Sequence, residues 1–221
     1  MNQTITVENN KTVIFDLSNC TLTSDLDDKF ILTASNGGTI IIKGNGTITG
    51  KKCIGQAING GQIIVENGIF NALSDKGFCA YGENSKVTFN DGTINATDGG
   101  LMAFDGANLE VNDGKIFVSD NFGIGTNGTA GRGGNTIIMN GGKIVGNITT
   151  TGYESIGVYI PNDDTFIMNG GEIIANGGAG LVMRGGHVVI NGGKITGTGD
   201  ANTEGWVGDN KEKMDASGII Y

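Results

Sequence analysis

Residues able to do chemistry are few in this chain of 221 residues. One histidine occurs, His187, within Arg184-Gly185-Gly186-His187-Val188, and adjacent acids occur only at Asp27-Asp28 and Asp163-Asp164. A carboxylate beside an imidazole or guanidinium is a minimal kit for general acid–base work, since one group donates a proton while the other accepts one. Winding the chain with a repeat of suitable length would bring Asp163 or Asp164 beside Arg184 or His187. The plainer reading of the same residues is a solvated ion pair next to a turn. Asp91 and Asp113 stand 22 residues apart in matching phrases, each preceded by Asn. Two carboxylates stacked about 5 Å apart could share a calcium ion, although exposed turn acids account for them more simply. No other cofactor is expected. Cys20, Cys53 and Cys79 are an odd number without metal-site spacing, and they read as reduced thiols in or near a core.

What must position these residues is a repeat. One phrase returns along the chain: apolar, any, apolar, Asn, Gly or Asp, Gly, any, Ile. It reads Val87-Thr88-Phe89-Asn90-Asp91-Gly92-Thr93-Ile94, then Leu109-Glu110-Val111-Asn112-Asp113-Gly114-Lys115-Ile116. Further copies run over 137–144, 166–173 and 188–195, with looser ones ending in Gly46-Thr47-Ile48 and Gly68-Ile69-Phe70. The anchoring glycines, Gly46, Gly68, Gly92, Gly114, Gly142, Gly171 and Gly193, are separated by 22, 24, 22, 28, 29 and 22 residues. Alternation before each Asn predicts a strand with one buried face. Asn-Gly-Gly and Asn-Asp-Gly suit a turn with positive φ, and the Ile beyond starts a second strand. A third strand lies upstream, as in Gly100-Leu101-Met102-Ala103-Phe104 and Gly180-Leu181-Val182-Met183. Three strands and three turns in about 22 residues make the smallest coil of a parallel solenoid, too short for helical repeats.

Composition agrees. There are 41 Gly and a single Pro, and aromatics make up 6%. Collagen needs abundant Pro and Gly at every third position, and flexible linkers lack the regular apolar blocks seen here. Fourteen basic against 23 acidic residues give a net charge of −9, which disfavours nucleic acid and anionic membranes as partners. No apolar block is long enough to insert in a bilayer, and Met1–Asn10 lacks the pattern of a secretory signal.

The opening Lys11-Thr12-Val13-Ile14-Phe15-Asp16-Leu17-Ser18-Asn19-Cys20-Thr21-Leu22 resembles the first coil of right-handed parallel β-helices of the pectate-lyase-like type. Residues 37–50, Gly-Gly-Thr-Ile-Ile-Ile-Lys-Gly-Asn-Gly-Thr-Ile-Thr-Gly, resemble their second coil. The resemblance implies an all-β, single-stranded right-handed parallel β-helix of about seven to eight coils of 22–29 residues. Residues 1–36 would form an N-terminal cap and first coil, 37–197 the regular coils, and 198–221 a C-terminal loop and the start of a further strand, in one domain overall. That superfamily holds lyases, hydrolases, adhesins and bacteriophage fibres, so the fold alone does not assign activity. Its lyases carry carboxylate-bound calcium beside a basic residue, and its hydrolases carry Asn-Thr-Asp, Asp-Asp and Gly-His-Gly phrases. Only the Asp-Asp phrase occurs here. The later Asn-Gly-Gly coils look most like virion fibres of bacteriophages and bacterial surface repeats.

A different row carries more information. If Val87 and Phe89 point inward, the residue between them points out. Its counterparts are Ile41, Ile64, Thr88, Glu110, Ile138, Ile167 and Val189, five of seven being aliphatic where water would favour polar residues. This face is expected to be covered, either by the chain's own longer loops, 126–135 and 153–161, or by another molecule. The second reading makes Ile41, Ile64, Ile138, Ile167 and Val189 an interface. Its partners would be further copies, in a homodimer or homotrimer, or other virion structural proteins. The expected function is a non-enzymatic virion component, a head fibre, capsid decoration or tail-side appendage serving assembly and attachment to a host or cell-surface glycan. The alternatives are a polysaccharide-degrading β-helix enzyme, with Tyr81, Tyr153 and Tyr159 as sugar platforms, and a bacterial adhesin.

Overall fold

The computed structural model describes residues 3–27, 30–147 and 156–198, with the backbone of 219–220. All regular structure there is β, in strands of two to six residues. The strands belong to three parallel sheets, and successive strands of the chain pass from sheet A to B to C and back again. The protein is therefore a parallel β-solenoid of eight coils. Coil 1 comprises Ile5–Val7, Thr12–Asp16 and Thr21–Ser24; coil 8 comprises Ala179–Met183, His187–Ile190 and Lys194–Thr198. Ile219 and Ile220 add a last strand to sheet A, paired with Leu181 and Val182 of coil 8.

Registry follows from the repeated phrase. In sheet B, Val87 pairs with Ile63 on one side and Leu109 on the other, and Phe89 with Val65 and Val111. These residues point inward and are fully buried or nearly so. Sheet C contributes a second inner row, in which Ile48, Phe70, Ile94, Ile116, Ile144 and Ile173 stack in register. Together with inward residues of sheet A they form one continuous core along the solenoid.

The turns divide two tasks that look alike in sequence. At the corner from A to B, Asn36, Asn59, Asn84 and Asp105 themselves adopt positive φ, between 49° and 63°. At the corner from B to C the last Gly of Asn-Gly-Gly or Asn-Asp-Gly takes it: Gly92, Gly114, Gly142, Gly171 and Gly193 have φ from 81° to 114°. The Asn two residues earlier has another task. Asn112 donates its amide to the side-chain oxygen of Asn90 at 2.7 Å, Asn140 to Asn112 at 2.7 Å, Asn169 to Asn140 at 2.7 Å and Asn191 to Asn169 at 2.8 Å. Asn90 starts the row by donating to Glu66 at 3.0 Å. An amide ladder of this kind satisfies a donor and an acceptor per coil and fixes the spacing of its neighbours. Asn140→Ala removes two rungs, so it is expected to lower stability by about 1–2 kcal/mol in a denaturant titration. A loss no larger than that of an isolated surface Asn would refute the ladder's contribution.

Other glycines make no turn. Gly100, Gly123 and Gly157 are the second residues of the sheet A strands of coils 5, 6 and 7 and face the core. A Cβ on any of them would overlap the Cγ2 methyl of Ile116, Ile144 or Ile173 respectively. That of Gly123 would also lie 2.6 Å from the carbonyl oxygen of Gly157 in the next coil. The sheet C isoleucines thus pack directly on bare backbone.

Candidate functional site

Of the residues with acid–base potential, Asp164 and Arg184 are held by separate partners, and His187 meets Asp164 through the backbone, its N–H donating to the Asp164 carbonyl at 2.7 Å. Asp164 is buried, 2% exposed. Its Oδ1 accepts from the backbone N–H of Asn135 at 2.9 Å and from the Asn135 amide at 2.7 Å, and its Oδ2 accepts from the Thr126 hydroxyl at 2.5 Å. Asn135, also buried, turns its own Oδ1 to the N–H groups of Gly106 at 3.1 Å and Ala107 at 3.0 Å. This is a polar bracket joining coils 5, 6 and 7 at the A–B corner. Asp163 is exposed, and its carbonyl accepts from Gly134 N–H at 2.6 Å. The Arg184 guanidinium donates to the Tyr159 hydroxyl at 3.0 Å. His187 is exposed at the start of its sheet B strand, beside Thr165. Asp27 forms an ion pair with Lys51, while Asp28 lies outside the described residues.

Asp91 and Asp113 do occupy equivalent points of adjacent coils, on a shallow open groove of about 620 Å³ along the B–C corner. Each carboxylate accepts from the next residue's backbone N–H, Gly92 at 2.7 Å and Gly114 at 2.8 Å. Asn67 does the same toward Gly68 at 2.7 Å, so an amide and an acid serve this turn equally well. No group of three or more His, Cys, Asp or Glu side chains placed to hold a metal ion occurs among the described residues. Further along the groove Glu172 pairs with Lys143 at 2.8 Å and Lys194 at 3.6 Å, and the hydrogen bond from Lys143 holds its carboxyl below the usual range.

The isoleucine row is a single straight column on the outer face of sheet B. Ile14 pairs with Ile41, Ile41 with Ile64, Ile64 with Thr88, Thr88 with Glu110, Glu110 with Ile138, Ile138 with Ile167 and Ile167 with Val189. Ile14 extends it to all eight coils and is 57% exposed; the others are half-buried. A polar column runs along one side, from Thr12 and Thr39 through Lys86 and Asn108 to Thr165 and His187. The amide ladder runs along the other. At mid-length Lys86 and Glu110 form an ion pair at 2.5 Å, and that hydrogen bond keeps the Glu110 carboxyl below its ordinary range. The loop 127–135 does not fold over this face by its hydrogen bonds. Arg132 pairs with Asp105, and Asn162 donates to the carbonyl of Thr129 at 2.6 Å, so the loop is tied to the A–B corner. Residues 156–160 of the other long segment form a sheet A strand, and 153–155 lie outside the described residues.

The outer face of sheet A went unnoticed in the sequence. Gln56, Cys79, Met102, Gly125, Tyr159 and Val182 form its column, and Cys79, Met102, Tyr159 and Val182 are buried. Phe122, Ile156, Tyr159, Ala179 and Val182 make a satellite cluster separate from the main core. The signal was present as unbroken apolar runs, Phe78-Cys79-Ala80-Tyr81 and Leu101-Met102-Ala103-Phe104, which mark strands buried on both faces. Tyr81 stacks on Phe104 with centroids 4.5 Å apart and Tyr159 on Phe122 at 4.5 Å, so these rings spend a face on each other. Tyr153 lies outside the described residues. Of the three thiols expected in or near a core, Cys53 and Cys79 are buried and Cys20 is exposed. Burial pushes the Cys53 thiol up to about 12, which keeps it protonated and unreactive at neutral pH.

No protein-family model, curated protein or solved structure matches the chain. The class defined by the coordinates is the parallel β-solenoid.

Proposed function

We propose that the protein is a non-enzymatic structural component that assembles through the outer face of sheet B, as a fibre, decoration or appendage of a bacteriophage virion. The observation that carries this reading is the outer column of sheet B, aliphatic in six of its eight coils and flanked by polar columns. A solvated sheet would alternate apolar inside with polar outside, and apolar patches with a polar rim are the anatomy of a contact surface. The engagement of Asp164 by Asn135 and Thr126, and of Arg184 by Tyr159, supports structural over catalytic roles for them. The assignment to a virion rests on the likeness of the Asn-Gly-Gly coils to those of phage fibres. Mass spectrometry of virions purified from the strain encoding the chain tests it. Peptides of the protein at a fixed ratio to the capsid protein are expected. Their absence from the particles would overturn the assignment, and release of reducing sugar from host capsule would favour the enzyme instead.

A further inference from the structure

Numbered by coil, the outer column of sheet B reads apolar in coils 1–3, polar in 4 and 5, and apolar again in 6–8. The pattern is the same in either direction along the solenoid. A two-fold interface brings one surface against itself, so it demands a self-complementary order of this kind. We infer that sheet B is the self-interface of an antiparallel two-fold dimer, its axis parallel to the strands. The inference rests on reading this face as the assembly surface.

Such an axis makes each column face itself with the coil order reversed. Ile14 then meets Val189 of the second copy, Ile41 meets Ile167, Ile64 meets Ile138, and Thr88 meets Glu110. Glu110 of one copy comes to lie beside Lys86 of the other, because Lys86 is next but one to the outward Thr88 it accompanies on the strand Lys86–Phe89. Each copy already pairs these two groups internally at 2.5 Å, so the centre becomes a four-charge cluster of alternating sign. A two-fold axis along the solenoid, or a three-fold arrangement around sheet B, would instead set Glu110 against Glu110. Like charges held opposite each other across an interface cost several kcal/mol, which selects the antiparallel order. The ladder also fits: its Asn90 and Asn112 face each other, and the charged Lys43 and Glu66 face Asn169 and Asn140.

The footprint sets the strength. The three outward columns span five residues in each coil, Lys86 to Asn90 in coil 4, and at about 3.3 Å per residue over eight coils about 4.8 Å apart they give roughly 550 Å² per copy. Both sides together bury about 1,100 Å², just above the size at which an interface becomes specific, so the dimer is expected to be reversible.

Sedimentation equilibrium of the chain, with circular dichroism as a fold check, gives the stoichiometry; cross-linking gives the order. In a Cys20→Ser background, which leaves only the two buried thiols, Thr39→Cys and Thr165→Cys are combined in one chain. A bis-maleimide spanning the ~10 Å between packed sheets is expected to link the double variant as a dimer and neither single variant. Ile138→Asp is expected to weaken association by roughly thirtyfold while the fold signal is kept. A trimer mass, or a dimer in which the double variant is not linked, overturns the antiparallel order while leaving sheet B as the assembly face. A chain that remains monomeric at millimolar concentration overturns the self-interface, whereas the virion assignment is decided separately by the particle composition.

Discussion

Gly123→Ala is expected to destabilise the solenoid by about 3 kcal/mol, a fall of roughly 10 °C in the thermal midpoint followed by circular dichroism. One methyl group is a small change, and in most strands Ala would stabilise relative to Gly by restricting the unfolded chain. Here the methyl has nowhere to go. It would overlap the Cγ2 of Ile144 and press on the carbonyl of Gly157, so either the isoleucine leaves its rotamer or the coils separate. Because Gly100 and Gly157 meet Ile116 and Ile173 in the same way, neither adjacent coil can yield without passing the strain on. Gly128→Ala is the control, since a Cβ there finds only ordinary contact with Pro161 at 3.4 Å. Equal midpoints for the two variants would refute the view that bare backbone is required beneath the isoleucines.

Removing the buried carboxylate should be at least as damaging. Asp164→Ala leaves the Asn135 N–H, the Asn135 amide and the Thr126 hydroxyl without their acceptor in a site closed to water. At about 1–3 kcal/mol for each stranded buried donor, a loss of roughly 3–5 kcal/mol is expected in urea unfolding. Asp164→Asn keeps the shape and one acceptor oxygen, so it should fall between the wild type and the Ala variant. Asp163→Ala, at the adjacent but exposed residue, should be nearly silent. The opposite ranking, with Asp163 the more sensitive, would show that the bracket at the A–B corner is not what Asp164 supports.

These two cases show where sequence was readable and where it was not. Val87-Thr88-Phe89 announced a half-buried strand because its inner and outer residues differ in polarity, and pairing with coils on either side follows from the 22-to-29-residue spacing of the anchoring glycines. Gly123 was not readable in the same manner. Its neighbour Ile144 is 21 residues later, and nothing local distinguishes an inward glycine from a turn glycine. Asn140 was legible as a turn residue and misjudged as to purpose: its φ is not in the left-handed region, and its amide serves the adjacent coils. Asp163 and Asp164 looked like a chemical pair because adjacency in a turn hides which side chain points in. On sheet B the alternation places Ile138 and Ile167 on the outside, whereas on sheet A the unbroken run around Met102 conceals an outer face that is buried.

The pairings carry one more consequence, for how the chain acquires its shape. Within coils 1–8 every paired strand joins residues between 22 and 34 positions apart, and none connects the first coil with the last. No single long loop has to close before the rest can form. Assembly of this molecule is therefore growth on a template, in which any two neighbouring coils can seed and each later coil adds to an edge already made. Rates of folding should respond most to defects in whichever pair starts the stack, and little to the overall number of coils.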